Sequence, residues 1–176
     1  MIILIGESGS GKTTILKELE KRGYQKPINY TTREKRQEEK EDQEYEFVTK
    51  EQFETLWQKN QLVQRAEFNG QFYGMDRQSL KNNVACISIV DSVSDIRKKI
   101  EQDNLQNISL HVFYLYVPTE ERIQRMLKRG DSIDFIQKRM AIDKEKFQKV
   151  EEVMDYKIEN NNFQQALEKI IQIDKS

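Results

Sequence analysis

Residues 6–13 read Gly6-Glu7-Ser8-Gly9-Ser10-Gly11-Lys12-Thr13 and fit G-x-x-x-x-G-K-[ST] at every fixed position. Residue types in this pattern bind phosphate. The glycines let successive backbone N–H groups converge on an anion with no Cβ in the way. A helix opening at Thr14 would add its positive dipole end. Lys12 can reach the β- and γ-phosphates of ATP, and the Thr13 hydroxyl can ligate Mg²⁺.

Two other groups of side chains could meet a second anion or the group in transfer. Arg33 and Arg36 stand three apart, with Tyr45 returning nearby, and could grip a dianionic phosphate by bidentate hydrogen bonds. Arg122, Arg125 and Arg129 lie on one helical stretch and Arg139 on the next, a spacing that could close a cationic lid over a triphosphate. Spacing alone equally allows both groups to be solvated charges in surface ion pairs. Asp91 follows an apolar run, where an acid could hold Mg²⁺ through water or could cap a helix.

These groups need elements to position them. Met1–Ile5 is apolar enough for one buried strand, and Thr14–Lys21 reads as a helix with Ile15, Leu16 and Leu19 on one face. Strand, glycine loop and helix are the context the motif requires. Ile28–Thr32 and Tyr45–Val48 read as short strands separated by a charged surface loop. Thr49 with Gln52 three residues on predicts a capping box, and Phe53, Leu56 and Trp57 a buried helical stripe. Asn69-Gly70 predicts a two-residue hairpin. Val84–Asp91 reads as a buried strand ending in an acid. Leu110–Val117, apolar throughout, suits the middle of a parallel sheet.

Thr119 is expected to cap a helix that buries Ile123, Met126 and Leu127, with the arginines on the opposite face. A longer helix carries Ile133, Ile136 and Met140. Lys157–Glu159 reads as a last strand, and Phe163–Ile173 as a closing helix. Strands alternating with helices imply an α/β fold with a parallel sheet between two helical layers, interrupted by an inserted lobe.

Bulk properties exclude several classes. Lys and Arg total 29 against 30 Asp and Glu, so there is no overall basic charge to attract nucleic acid or a membrane surface. No apolar run approaches the roughly 20 residues of a membrane span. The single cysteine, Cys86, allows neither an internal disulfide nor a cysteine zinc cluster, and its apolar strand suits an inert thiol. The lone histidine, His111, reads as structural. With no signal segment before the first strand, a cytoplasmic location is expected.

Taken together, these residues resemble the guanylate kinases nearly end to end. The carriers are the loop Gly6–Thr13, Tyr30-Thr31-Thr32-Arg33-x-x-Arg36, Tyr45-x-Phe47-Val48, and Glu51-x-Phe53. Glu67-Phe68-Asn69-Gly70-x-Phe72-Tyr73-Gly74, Arg122-x-x-Arg125-x-x-x-Arg129-Gly130, Gln137-Lys138-Arg139 and Asn160 complete the set. The resemblance implies an ATP-dependent nucleoside monophosphate kinase that turns GMP or dGMP into GDP or dGDP with Mg²⁺. It implies a P-loop kinase fold with core segments 1–27, 84–117 and 153–176, a monophosphate-binding lobe at 28–83, and a helical lid at 118–152.

Carried over by position, residues Gly6, Glu7, Ser8, Gly9, Ser10, Gly11, Lys12, Thr13 and Thr14 would bind ATP together with Arg125, Arg129 and Asn160, the last near the adenine. Arg33, Arg36, Tyr45 and Tyr73 would grip the acceptor's phosphate, and Asn29, Gln64, Met75 and Asp91 would complete its pocket. Lys12, Arg33, Arg125, Arg139 and Asp91 would serve catalysis, with Thr13 on Mg²⁺ and Asp91 reaching it through water. Small-molecule nucleotides are the partners implied, to a monomer or homodimer, with neither nucleic acid nor membrane.

The departures concern the base. The family reads guanine with a glutamate where this chain has Gln64, whose amide offers one acceptor beside a donor. Met75 replaces a small hydroxyl residue, Asn29 a serine, and the run Ile89–Ser94 has lost one acid. Phosphate-handling residues persist while base-reading ones have changed, which raises altered acceptor specificity. A ribose 1,5-bisphosphate kinase is an alternative that needs no guanine contact. A non-catalytic guanylate-kinase-like binding module is another, although its phosphate loop would be expected to have decayed.

Overall fold

The computed structural model describes residues 1–35, 45–68 and 70–176. Among them, the first sheet orders its strands β6 (Ala85–Ile87), β1 (Ile2–Ile5), β7 (His111–Tyr116) and β8 (Tyr156–Glu159), all parallel. The central strands β1 and β7 are apolar because both of their faces are covered. Alternation decides which side chain goes where. Ile3 and Ile5 pack with Val90, Val93 and Ile96 of α3 (Val90–Gln102). Ile2 and Leu4 pack with Ile15 and Leu19 of α1 (Lys12–Lys21) and with Ala166, Leu167 and Ile170 of α7 (Phe163–Asp174). Helices on both faces make the three layers that the alternating pattern implies.

The second sheet is mixed. Its order is β3 (Glu46–Phe47), β2 (Asn29–Thr31), β5 (Gln71–Met75), β4 (Ala66–Phe68), with β2 and β3 parallel and the other pairs antiparallel. Phe68 pairs with Gln71 across the hairpin and Gly70 takes φ 72°, as a tight turn demands; Asn69 itself lies outside the described residues. Register places Asn29 opposite Met75, and Thr31 opposite both Tyr73 and Phe47, so these five share one face. The helix α2 (Lys50–Gln58) opens with the expected capping box, Thr49 and Gln52 each bonding the other's backbone N–H.

Four expectations need correction. The strand over 84–91 stops at Ile87; Ile89 caps α3, and Asp91 stands exposed in that helix's first turn, where an acid complements the dipole. Trp57 is 39% exposed, because Phe53 alone fills the space under α2, stacked 5.6 Å from Phe72. Thr119 is the first residue of α4 (Thr119–Arg129), after Pro118 at the cap, and the buried positions of α4 are Arg122 and Met126 while Leu127 is exposed. In α5 (Ile133–Lys146), Ile133 is exposed, and Ile136 and Asp143 are buried. The last two share a cause: these helices pack against a polar loop rather than an apolar sheet.

His111 is structural, as expected, with Nδ1 3.1 Å from Asp174 and Nε2 3.1 Å from the Ser109 hydroxyl. The Cys86 thiol is 5% exposed and burial pushes it up to about 12, which keeps it protonated and inert.

Candidate active site

The loop Gly6–Thr13 leaves the carboxyl end of β1 and runs into α1. Gly9 and Gly11 hold φ of 83° and 90°, the left-handed region that only glycine enters cheaply. Space is also short there. A Cβ on Gly9 would stand 2.8 Å from the Arg122 carbonyl, and one on Gly11 2.5 Å from the Asn160 amide nitrogen. The motif's glycines are therefore required by the backbone and by what packs against it.

Lys12 folds back on its own loop. Its ammonium donates to the carbonyls of Gly6 at 2.5 Å and Glu7 at 3.1 Å. Burial lowers its pKa to about 8; Asp143 and Glu7 oppose that shift, while Arg139 and Arg122 add to it. A lysine so held is short of negative charge, which a triphosphate would supply.

Both α4 and α5 touch the loop. Ser8 is held at three atoms: its N–H donates to Asp143 Oδ2 at 2.7 Å, its hydroxyl accepts from Arg139 Nε at 3.0 Å, and its carbonyl accepts from Arg122 at 3.4 Å. Arg122 also lies 3.7 Å from the Glu7 carboxylate and 3.8 Å from that of Asp143. Glu7 accepts a further bond from the Tyr114 hydroxyl at 2.8 Å, which together with burial holds that phenol well above its ordinary range.

Arg125 donates to the Asn160 carbonyl at 2.7 Å and pairs with Glu121. Asn160 is buried, and its amide donates to the Ser10 carbonyl at 2.8 Å, so it props the loop from behind. Arg129 pairs with Asp131 on the exposed side of α4. Thus Arg125 and Arg139 reach the loop's surroundings, while Arg129 is held at the exposed end of α4.

On the other side, Arg33 lies 5.6 Å over the Tyr45 ring and 5.1 Å over that of Phe47, and Tyr45 packs edge-on to Tyr73 at 5.8 Å. Three of the expected phosphate-gripping residues are thereby together; Arg36 lies outside the described residues. A cleft of about 540 Å³ runs between α1 and the second sheet, lined by Thr13, Leu16 and Glu20 on one side and by Asn29 and Tyr45 on the other, with Cys86 and Ile87 at the end of β6. Met75 is instead buried in the core beside Val63 and Leu80. Gln64 Oε1 is buried with no hydrogen-bond partner among the described residues, an acceptor without a donor.

Sequence reasoning placed Arg122 on an exposed face and did not single out Asp143. The signal was available in part: Arg122 and Met126 are four apart, as are Arg139 and Asp143, so each pair shares a stripe. What the pattern could not give is that the stripe faces a polar loop. Among the described residues no group of three or more His, Cys, Asp or Glu side chains converges. An ion arriving with a triphosphate needs less: the Thr13 hydroxyl, at the helix start and on the cleft, suits it.

Comparison with known proteins agrees with this arrangement. The family profile described as Guanylate kinase matches residues 1–174. The guanylate kinase of Aromatoleum aromaticum is 32% identical over 98% of this chain and 86% of its own. That of Synechocystis is 31% identical over 98% and 92%. The crystal structure of guanylate kinase from Anaplasma phagocytophilum superposes with a TM-score of 0.59 over 98% of this chain and 82% of that one, at 22% identity, which speaks to the fold. A loop, an aromatic sheet and two arginine-bearing helices in this order, matched along almost all of the chain, have one reading: the protein belongs to the guanylate kinase family.

Proposed function

We propose that the protein transfers the γ-phosphoryl group of ATP to GMP, giving ADP and GDP. The observation that carries this reading is the shared cleft, in which Thr13 of the donor loop and Asn29 and Tyr45 of the second sheet line one space. Donor and acceptor bound there would meet end to end. The relatives named above are guanylate kinases, which does not favour ribose 1,5-bisphosphate as the acceptor.

In this reading the loop's N–H groups bind the donor phosphates and Lys12 leaves the Gly6 and Glu7 carbonyls for them. Arg33, Arg36, Tyr45 and Tyr73 fix the acceptor phosphate, and its oxygen attacks in line without a covalent enzyme intermediate. Arg125 and Arg139 offset charge developing on the group in transfer, with Arg129 joining when the lid closes. Thr13 would hold Mg²⁺, with Asp91 contributing through water, and the ion would supply charge neutralisation between the phosphates. Gln64 and Asn29 would meet the base edge, with the orphaned Gln64 oxygen accepting one donor. Segments 28–83 and 118–152 act as lobe and lid on a core of 1–27, 84–117 and 153–176, closing to exclude water.

A coupled assay of ADP release tests this with GMP, dGMP, AMP and ribose 1,5-bisphosphate as acceptors. Turnover with GMP well above the others is expected. Release that ignores the acceptor, or that follows the sugar bisphosphate, would overturn it.

A further inference from the structure

We infer that Asp143 is a positioning residue: it fixes Ser8, and through Ser8 and the α5 backbone it holds Arg139 at the mouth of the phosphate loop before ATP arrives. The inference rests on the reading of Arg139 as the arginine that serves the transferred group.

Asp143 is 5% exposed. A buried carboxylate costs folding free energy that an apolar side chain on the same helical face would not. Its partners show what it does. It accepts the Ser8 N–H at 2.7 Å and lies 3.8 Å from Arg122, which is itself 5% exposed. Arg139, one turn earlier on α5, takes the Ser8 hydroxyl at 3.0 Å. One loop residue is thus clamped at its N–H and its side chain by two side chains four apart on one helix. Sliding or rotating α5 would break both bonds, so the pair sets the register of the lid helix on the loop. Arg122, bonded to the Ser8 carbonyl and lying between Glu7 and Asp143, fixes the other lid helix to the same point.

The clamp also trims charge. Lys12, Arg122 and Arg139 face Glu7 and Asp143, and removing Asp143 leaves that group one unit more positive toward a triphosphate. Position and charge therefore predict opposite effects: loss of Asp143 should strengthen ATP binding and slow transfer. A residue needed only for folding would do neither to the folded fraction.

Steady-state kinetics at pH 7 with varied ATP and saturating GMP separate the two. Asp143→Ala is expected to lower kcat about ten- to a hundredfold, the scale of a misplaced catalytic group, while the KM for ATP falls. Asp143→Asn keeps an acceptor for the Ser8 N–H and drops the charge, so kcat should return to within about threefold of the parent with KM still low. Parental kcat in Asp143→Ala, or an Asn variant with parental KM or with kcat as low as a hundredth of the parent, would overturn the inference. The Asn variant decides alone if the Ala variant does not fold. Arg139→Ala runs alongside: if it turns over normally, the role given to Arg139 fails; if it is slow while Asp143→Ala is normal, only the present inference fails.

Discussion

The phosphate loop and the second sheet are built differently. Around the phosphate loop, charged side chains bond the loop's neutral groups: Ser8 is held by Asp143, Arg139 and Arg122, Lys12 bonds the Gly6 and Glu7 carbonyls, and Arg122 lies 3.7 Å from the Glu7 carboxylate. On the second sheet Arg33 lies over the rings of Tyr45 and Phe47, Tyr45 packs against Tyr73, and the Arg33 guanidinium donates to the Glu34 carbonyl at 3.0 Å. Buried polar atoms without a partner among the described residues occur on both sides, Arg122 Nε and Asn160 Oδ1 by the loop and Gln64 Oε1 beside the second sheet. The lesson is one of division. The loop is held by charged side chains from helices distant in the chain, whereas the Arg33 guanidinium rests on aromatic rings nearby in sequence.

Three experiments break or sharpen that contrast. The largest effect is expected at Lys12. Lys12→Ala removes the ammonium held at the loop and should lower kcat by roughly a hundred- to a thousandfold. Because burial already disfavours that charge, the variant's melting temperature should not fall. A drop in turnover matched by loss of folded protein in calorimetry would argue against a catalytic role.

Next in size is Gln64→Glu. A second acceptor oxygen would match the donors on the guanine edge, and relief of one mispaired buried group is worth about 1–3 kcal/mol. kcat/KM for GMP should rise about ten- to a hundredfold, with little change for AMP. A variant no better than the parent with GMP would remove Gln64 from the base pocket.

The smallest effect is in pH. With Lys12 near 8 in the free protein, bound triphosphate must raise it, so ATP binding takes up a proton above that pH. Affinity should be level below about 8 and then weaken up to about tenfold per unit above it. Calorimetry in two buffers of different ionisation enthalpy measures the uptake directly, and an affinity flat from pH 7 to 9.5 would contradict it. The stability sign is opposite to that of a partnered lysine. The charge costs stability while present in the fold, and this cost fades as pH rises from about 8 toward the ordinary lysine range.

Much of the donor site was legible in the chain because its logic is local. Strand, glycines, Lys12 and Thr13 are contiguous, and a left-handed φ at Gly9 and Gly11 is a property that sequence can declare. The capping box at Thr49 and the apolar middle strand β7 are legible for the same reason. Asp91 and Trp57 were misplaced because apolar runs say that something is buried without saying where a strand ends or how much room its neighbour leaves.

The sequence by itself determined the strand, glycine loop and helix at the amino end, the capping box at Thr49 and the apolar strands of the sheet, since each of these follows from residue types a few positions apart. Only the tertiary structure decided that Asp143 meets Ser8 across 135 positions of chain, that Arg122 is buried, and that Thr13 and Tyr45 share a cleft. The physical reason is that a charge's role is set by its distance to another charge and by the water removed between them, and the packing of distant segments fixes both.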